Sequence, residues 1–515
     1  MSANAPSWPG RGTRGRVLML VDNGVHGDSR VQKAAASAAA AGWDVILLGR
    51  YPGKGEEHWQ LGDADVHLVR MTPKLSVPPK ELRGTLLRRP LAYQSARVQG
   101  YREAHVKAWR ADLRVRADAR RSGGPGGSSP LGLVVPKLAA KVTASWVKLR
   151  SRQTKQLAAL RRTRSAPLDR LVTRFWLTTM RERAWRRLSP NVWDFELSFG
   201  PVIDALKPDL IHANDFRMLG VGARAAVRGR AAGRGTKLVW DAHEFVPGVR
   251  SWANKRTLPA MVGYEREHAR HADAVMTVSE GLAELLRDTH GLKELPAVVL
   301  NAPAKAVTQK TVDEPVPDIR ELCGVGPDVP LLVYSGLAAA QRGLDIMVEG
   351  LPELPGTHAV FVCGDPQAPY VRGLLKRAEE LGVGDRAHAV PYVSHWQIVP
   401  FLSGATVGVI PIHHWPNHEI ALITKFFEYS HAGLPLVVSD VKTMSKVTRE
   451  TGQGEVFTAK DTADYVRAVR EVLADPERYT KAYAREGLLE EWTWEAQAKV
   501  LDGVYTRLLR PEGAR

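Results

Sequence analysis

The strongest constraint on the fold is a rhythm of short apolar runs and helical stretches that plays twice, on either side of a proline-rich segment. Residues 16–21, 44–48, 67–71, 209–213, 237–240, 274–277 and 297–300 are short, apolar and bounded by turn residues, the pattern of buried strands. From Pro303 to about Pro330 the chain carries Pro315, Pro317, Pro327 and mixed charge, as a linker does. The rhythm then restarts at 331–334, 359–363, 387–390, 407–410 and 436–438, and helices at about 461–473, 476–486 and 491–509 close the chain. Strands that alternate with helices pair in parallel. The expected class is therefore α/β: two Rossmann-like, doubly wound domains facing a cleft, with a basic helical insertion at 81–190 in the first. The expected divisions are a disordered N-terminus over 1–15, domains over 16–305 and 331–485, a linker over 306–330, and a last helical segment over 486–515.

Composition narrows the class. At 515 residues, 44% hydrophobic and 25% charged, the chain has the make-up of a globular protein with two or three domains. Cys323 and Cys363 have neither metal-ligand nor disulfide-framework spacing. No run of about 18 apolar residues occurs, and residues 1–10 lack the apolar core of a signal peptide. A cytoplasmic protein is expected, peripheral at the inner face of the cell membrane if the insertion docks there.

The net charge of +17 is concentrated. Residues 81–190 hold 26 Lys/Arg against 6 Asp/Glu, an excess of +20 that leaves −3 for the rest. This segment reads as helices around the glycine-rich linker 122–130. Its last helix, expected over 168–188, puts Leu171, Val172, Phe175, Trp176 and Met180 among arginines. Such a face either lies on an anionic membrane or packs on its own domain. No zinc-finger or RNP-type aromatic pattern accompanies the charge, so no nucleic-acid partner is expected.

The segment richest in chemistry runs from Val407 to Asp440. A strand at 407–410 and a loop lead to a short helix starting between Ala421 and Thr424; Gly433 and Pro435 end it before the strand 436–438. A helix N-terminus at the carboxyl end of a parallel strand offers free N–H groups to an anion. Lys425 adds charge in the first turn, and Glu428, on the same face, can accept hydrogen bonds from a sugar diol. The pair suits a nucleotide diphosphate; it is equally the spacing of an ordinary exposed ion pair.

Residues 425–440 resemble the donor-site segment of glycosyltransferase family 4, where Lys-x-x-Glu-Tyr precedes Ala-Gly-x-Pro-x-Val. The resemblance covers about 16–80 and 190–510 and omits the insertion. It implies the GT-B fold, a nucleotide-sugar donor, retention of anomeric configuration, no cofactor and no metal ion, with Glu428 on the ribose. By the same resemblance His243, Arg342 and Lys425 join Glu428 as catalytic residues, and Gly336, Gly364, Glu419 and Thr424 bind the donor. Asn23, Gly24, Gly27, His212 and Asp215 face the acceptor: a sugar, a lipid-linked group or a small molecule. Trp492-Thr493-Trp494-Glu495 and the helix after it resemble the family's ending, in which the last helix returns to the first domain.

Two positions depart from the family pattern. Leu337 stands where a first basic residue is common, and the earlier of two paired glutamates falls at Ile420, one residue after Glu419. Sugar identity is what the second departure leaves open. The alternatives to a transferase are a nucleotide-sugar epimerase of the same architecture and a non-catalytic scaffold or membrane-surface protein.

Overall fold

The computed structural model describes residues 14–51, 57–71, 92–93, 99–100, 102–103, 106–107, 109–110, 113, 130–250, 252, 254–305 and 315–510. Most of the expected N-terminal segment, residues 306–314 of the linker, and the glycine-rich linker up to Ser129 lie outside the described residues. The chain divides into two compact units. The first holds residues 1–72, 194–250 and 264–515, and the second holds 73–193 and 251–263.

Two sheets make up the first unit. The N-terminal sheet comprises β1 (Arg16–Leu20), β2 (Asp44–Tyr51), β3 (Glu57–Leu61), β4 (Ala64–Arg70), β5 (Leu210–Asn214), β6 (Lys237–Ala242), β7 (Ala274–Thr277) and β8 (Ala297–Val298). Their order is β3-β4-β2-β1-β5-β6-β7-β8, parallel except where the hairpin strand β3 pairs with β4. The C-terminal sheet comprises β9 (Leu331–Ser335), β10 (His358–Cys363), β11 (Ala387–Pro391), β12 (Val407–Ile410), β13 (Leu436–Ser439) and β14 (Gly454–Phe457), in the order β11-β10-β9-β12-β13-β14, all parallel. Both orders reverse at a central strand, so each sheet has a switch point at its carboxyl edge where crossovers diverge.

Alternation of side chains builds a core on each face of each sheet. Along β1, Val17 and Met19 enter one cluster while Leu18 and Leu20 enter the other. Along β9, Leu331 and Val333 face one cluster and Leu332 and Tyr334 the opposite one. Burial on both faces is why these strands read as continuous apolar runs. The helices of eight residues or more are α1 (Ser29–Ala40), α2 (Pro130–Thr163), α3 (Pro167–Met180), α4 (Trp193–Leu206), α5 (Asp215–Ala231), α6 (Thr257–Ala269), α7 (Glu280–His290), α8 (Pro369–Glu380), α9 (Thr424–His431), α10 (Lys442–Thr451), α11 (Thr462–Ala474) and α12 (Trp494–Leu509). The last of them, α12, inserts Trp494, Leu501, Val504 and Tyr505 into the core shared by α1 and β1, and Trp494 Nε1 donates to Ser37 Oγ at 2.8 Å.

Within the second unit, α2 runs for 34 residues and packs Leu133 and Ala140 with Leu113 and Trp109. The helix expected over 168–188 is interrupted: α3 ends at Met180, Arg181 takes φ +49°, and a 3₁₀ turn and a four-residue helix follow. A non-glycine residue in the left-handed region cannot continue an α-helix. The expected apolar stripe of this helix is only partly covered: Val172, Trp176 and Met180 are half-buried, while Leu171 and Phe175 are exposed.

Candidate active site

α9 is placed by the packing of its far side. Phe426, Phe427, Tyr429 and Ser430 are buried, and Tyr429 comes so close to β12 that a Cβ on Gly408 would sit 2.5 Å from its ring. The Tyr429 hydroxyl accepts the Ser335 amide at 2.7 Å, locking α9 to the end of β9. Ile423 caps the helix without a side-chain hydrogen bond and its carbonyl accepts from Phe426 N, at 2.9 Å, so the Thr424 and Lys425 amides are left for a ligand. Asn301 donates to Thr424 Oγ1 at 2.9 Å.

Lys425 and Glu428 occupy the opposite face of α9 and line a cavity of about 450 Å³. Gly336, Ser335, Tyr392, His395 and Thr424 line it from the C-terminal sheet, and Gly27, Ser29 and Gln32 from the turn and first residues of α1. The cavity thus lies at the carboxyl ends of β1 and β9. Gly336 adopts φ +137°, and a Cβ there would fall 2.0 Å from Lys425 Cε and 2.2 Å from Nζ. Only glycine leaves room for the lysine to cross this turn.

Desolvation sets the electrostatics. It pulls the Lys425 ammonium down to about 8, with the Arg342 charge acting the same way and Glu428 opposing. It raises the Glu428 carboxyl, against Lys425 and Lys33. Arg342 sits on the turn after β9, with Nη1 3.5 Å from His418 Nε2. Its Nε is buried with no hydrogen-bond partner among the described residues.

A second cluster stands at the carboxyl ends of β5 and β6. Arg30 holds Asp241 through two hydrogen bonds, Nε–Oδ2 at 3.0 Å and Nη2–Oδ1 at 2.8 Å, with both residues buried. Asp241 Oδ2 lies 3.2 Å from His243 Nε2. Burial disfavours an imidazolium at His243, but the Asp241 carboxylate outweighs it and the net shift is upward. Burial raises Asp215 to about 6, while the His243 charge opposes. Asp215 takes φ +63° at the start of α5, a conformation rarely held without a local reason.

The expected residues divide accordingly. Gly27, Gly336, Thr424, Lys425 and Glu428 meet in one cavity, and Arg342 adds its charge beside Lys425. His243 and Asp215 form the second cluster. His212 is corrected: it has no exposed surface, its Nδ1 is 2.5 Å from Tyr505 Oη, and its Nε2 is 3.5 Å from Asp241. It positions Asp241 and cannot touch an acceptor. Asn23 holds the loop, donating to Asp28 and accepting from Val25 N and Arg50 N, while the Gly24 carbonyl accepts from His26 N. Gly364 follows β10 beside the Tyr392 ring. Glu419 is not among the cavity's lining residues: His414 donates to it at 2.6 Å and the Lys442 amide at 2.9 Å, so its carboxylate serves the start of α10.

Arg30, Asp241, Tyr392 and His395 went unassigned in the sequence. Asp241 had a signal, because it ends a strand two residues before His243. Arg30 had none, since its partner lies 211 positions away.

Known proteins resemble the chain on both sides of the linker. Residues 156–302 match the family described as Glycosyltransferase Family 4, and residues 318–486 match Glycosyl transferases group 1. A D-inositol 3-phosphate glycosyltransferase of Xylanimonas cellulosilytica is 25% identical over 200 residues, 38% of this chain and 47% of that protein. The chain thus spans about half the length of that relative. A GDP-mannose-dependent alpha-(1-6)-phosphatidylinositol monomannoside mannosyltransferase of Mycobacterium tuberculosis is 24% identical over 330 residues, 59% of this chain and 79% of that one. Among solved structures, sucrose-phosphate synthase from Thermosynechococcus elongatus superposes with a TM-score of 0.59 at 16% identity, covering 96% of this chain and 99% of that one. Anabaena HepE in complex with UDP-glucose superposes at 0.56 and 13% identity, covering 96% and 100%. With two parallel-sheet lobes in the first unit and both family matches in chain order, the protein is a GT-B-fold member of glycosyltransferase family 4.

Proposed function

We propose that the protein transfers a glycosyl group from a nucleotide-sugar to an acceptor hydroxyl, with retention of configuration and without a metal ion. The observation that carries this reading is the Lys425–Glu428 face of α9, open to the cavity beside a glycine turn that a Cβ would block. Glu428 accepts the ribose diol. Lys425, Arg342 and the free amides of α9 receive the diphosphate. As the glycosidic bond breaks, negative charge grows on the leaving phosphate oxygen, so these fixed groups bind the transition state more tightly than the ground state. The orphaned Arg342 Nε is a donor waiting for an anion. With charge compensation supplied by the chain, the reaction needs no cation, and chelator-treated protein should turn over undiminished.

The His243–Asp241–Arg30 chain orients an imidazole near Asp215, and this cluster is the acceptor side. The acceptor is a sugar, a lipid-linked group or a small molecule, and the proposed setting is the cytoplasm. Relatives support the donor class: one is named for GDP-mannose, and a structural neighbour contains UDP-glucose.

Glu428→Gln keeps the shape and removes the carboxylate. Donor turnover should fall by a factor of about 100 or more, with an unchanged melting curve in the absence of ligand. Wild-type activity in this variant would overturn the assignment. Donor consumed with no acceptor present would point to an epimerase instead, and protein that neither binds nor consumes any nucleotide-sugar would point to a scaffold.

A further inference from the structure

The second unit contains a surface that glycosyl transfer leaves unexplained. Between Pro130 and Thr163, α2 carries Lys137, Lys141, Lys148, Arg150, Arg152, Lys155, Arg161 and Arg162 and no acidic residue. At about 100° per residue, Leu133, Ala140, Val147 and Thr154 share one face, and all four are buried. Val134, Leu138, Val142, Trp146 and Leu149 share the nearly opposite face, where Leu138 is 60% exposed, Val142 63% and Trp146 46%. A helix apolar on two opposite sides needs cover on both. One side has it.

The chemistry of the missing cover is written beside the open stripe. Lys137, Lys141, Lys148, Arg152 and Lys155 form a row along one border of it. Lys148, Arg152 and Lys155, with Lys107 and Arg110, line a cavity of about 650 Å³ in which Glu103 is the only carboxylate among the described residues. None of these cations has an ion-pair partner within 4 Å among the described residues. An apolar stripe bordered by a row of cations, of which Lys155 alone feels the Glu103 carboxylate, matches a surface with hydrocarbon below and phosphate above. A nucleic acid would take the cations but leave Trp146, Val142 and Leu138 in water. A folded acidic partner would need a matching apolar groove.

We infer that α2 docks on an anionic phospholipid bilayer, with Leu138, Val142, Trp146 and Leu149 at the acyl boundary and the basic row on headgroup phosphates. No helix of the described residues is long and apolar enough to cross a membrane, so the contact is interfacial. Cations near such a surface and apolar groups buried in it each strengthen the contact. The inference stands apart from the donor site.

The test is flotation of the full chain with phosphatidylcholine vesicles, with and without phosphatidylglycerol. Wild-type protein should float only with anionic vesicles, and added salt should release it. Leu138→Asp/Val142→Asp should weaken binding roughly tenfold or more, while its melting curve and its stabilisation by UDP or GDP stay those of the wild type. Should that pair unfold the helix, Lys141→Gln/Lys148→Gln tests the basic half with the same expectation. Equal flotation on neutral vesicles, or undiminished flotation of both variants, would overturn the inference. So would inorganic polyphosphate or duplex RNA bound by wild type and by the aspartate variant alike. Loss of nucleotide binding with flotation intact would count against the donor site and leave the membrane surface standing.

Discussion

A glycine and a lysine together shape the cavity proposed to take the donor. Gly336 is there because the Lys425 side chain occupies the volume a Cβ would need. In Gly336→Ala the methyl group must displace either the lysine or the turn, and φ +137° is strained for alanine. Lysine is the mobile partner, so it moves away from the diphosphate. The expected result is donor affinity lowered about tenfold or more by calorimetry, with a smaller loss of stability; unchanged affinity would mean that Lys425 does not hold the phosphates. The lysine also gives binding a pH dependence. With its ammonium at about 8 in the free protein, affinity for a diphosphate should be full below that pH and decline above it, because the anion binds the charged form. None of this strain was legible in the sequence. Tyr334-Ser335-Gly336 announces a strand and a turn, and only coordinates show what the turn must leave empty.

Among the elements, those that pack symmetrically were read well and those defined by a single bond were not. The strands buried on both faces declared themselves as apolar runs, and α9 starts at Thr424, the last residue of the range Ala421 to Thr424 expected for it. β3 and β14 were missed, because Glu57–Leu61 and Gly454–Phe457 lie at sheet edges and mix polar with apolar residues. The break at Arg181 was missed because nothing in Arg-Glu-Arg names a left-handed residue. Glu419 was expected to reach the donor, but its carboxylate accepts from His414 and from the Lys442 amide at the start of α10. His414 donates to Glu419 and to Asp440 at 2.9 Å, tying the loop before α9 to the ends of β13 and α10. The hydrogen bond to Glu419, with Asp440 beside it, raises the His414 pKa against partial burial. A histidine that binds its proton more tightly when folded stabilises below its unfolded pKa of about 6.5 and loses that contribution as pH rises through the folded value. The wild-type melting temperature should therefore drop across neutral pH relative to His414→Gln. The difference should be small, since the ring is half exposed and screened; parallel curves for the two proteins would remove the tie.

At the scale of the molecule, one of the hydrogen-bonded links between the two sheets of the first unit runs beside the proposed donor pocket, apart from those of Phe245 N to Asn417 and Ser279 Oγ to the Ile420 carbonyl. Lys33, on α1 of the N-terminal sheet, donates to Asn301 Oδ1 at 3.1 Å and to the Ala302 carbonyl at 2.5 Å. Asn301 passes the contact to Thr424 at the first turn of α9, and Lys33 also lies 4.8 Å over the Trp494 ring at the head of α12. One ammonium thus touches the segment that joins the sheets and the helix that returns from the second to the first, and through Asn301 it is linked to the element proposed to hold the donor. Burial, with Arg30 adding to it, lowers this ammonium to about 8, while Glu428 opposes. Its charge is therefore also part of the field around Glu428, the residue proposed to meet the ribose. Lys33→Met retains the aliphatic stem against Trp494 and removes both the charge and the donors. A merely structural lysine would cost stability and leave catalysis per folded molecule unchanged. A lysine that fixes the approach of α1 to α9 should instead lower kcat by about tenfold while KM for the donor changes little. Asn301→Ala, which breaks the same chain without touching charge, should show the same split. If Asn301→Ala lowers kcat and Lys33→Met does not, the coupling runs through Thr424 alone and the ammonium is a support for Trp494.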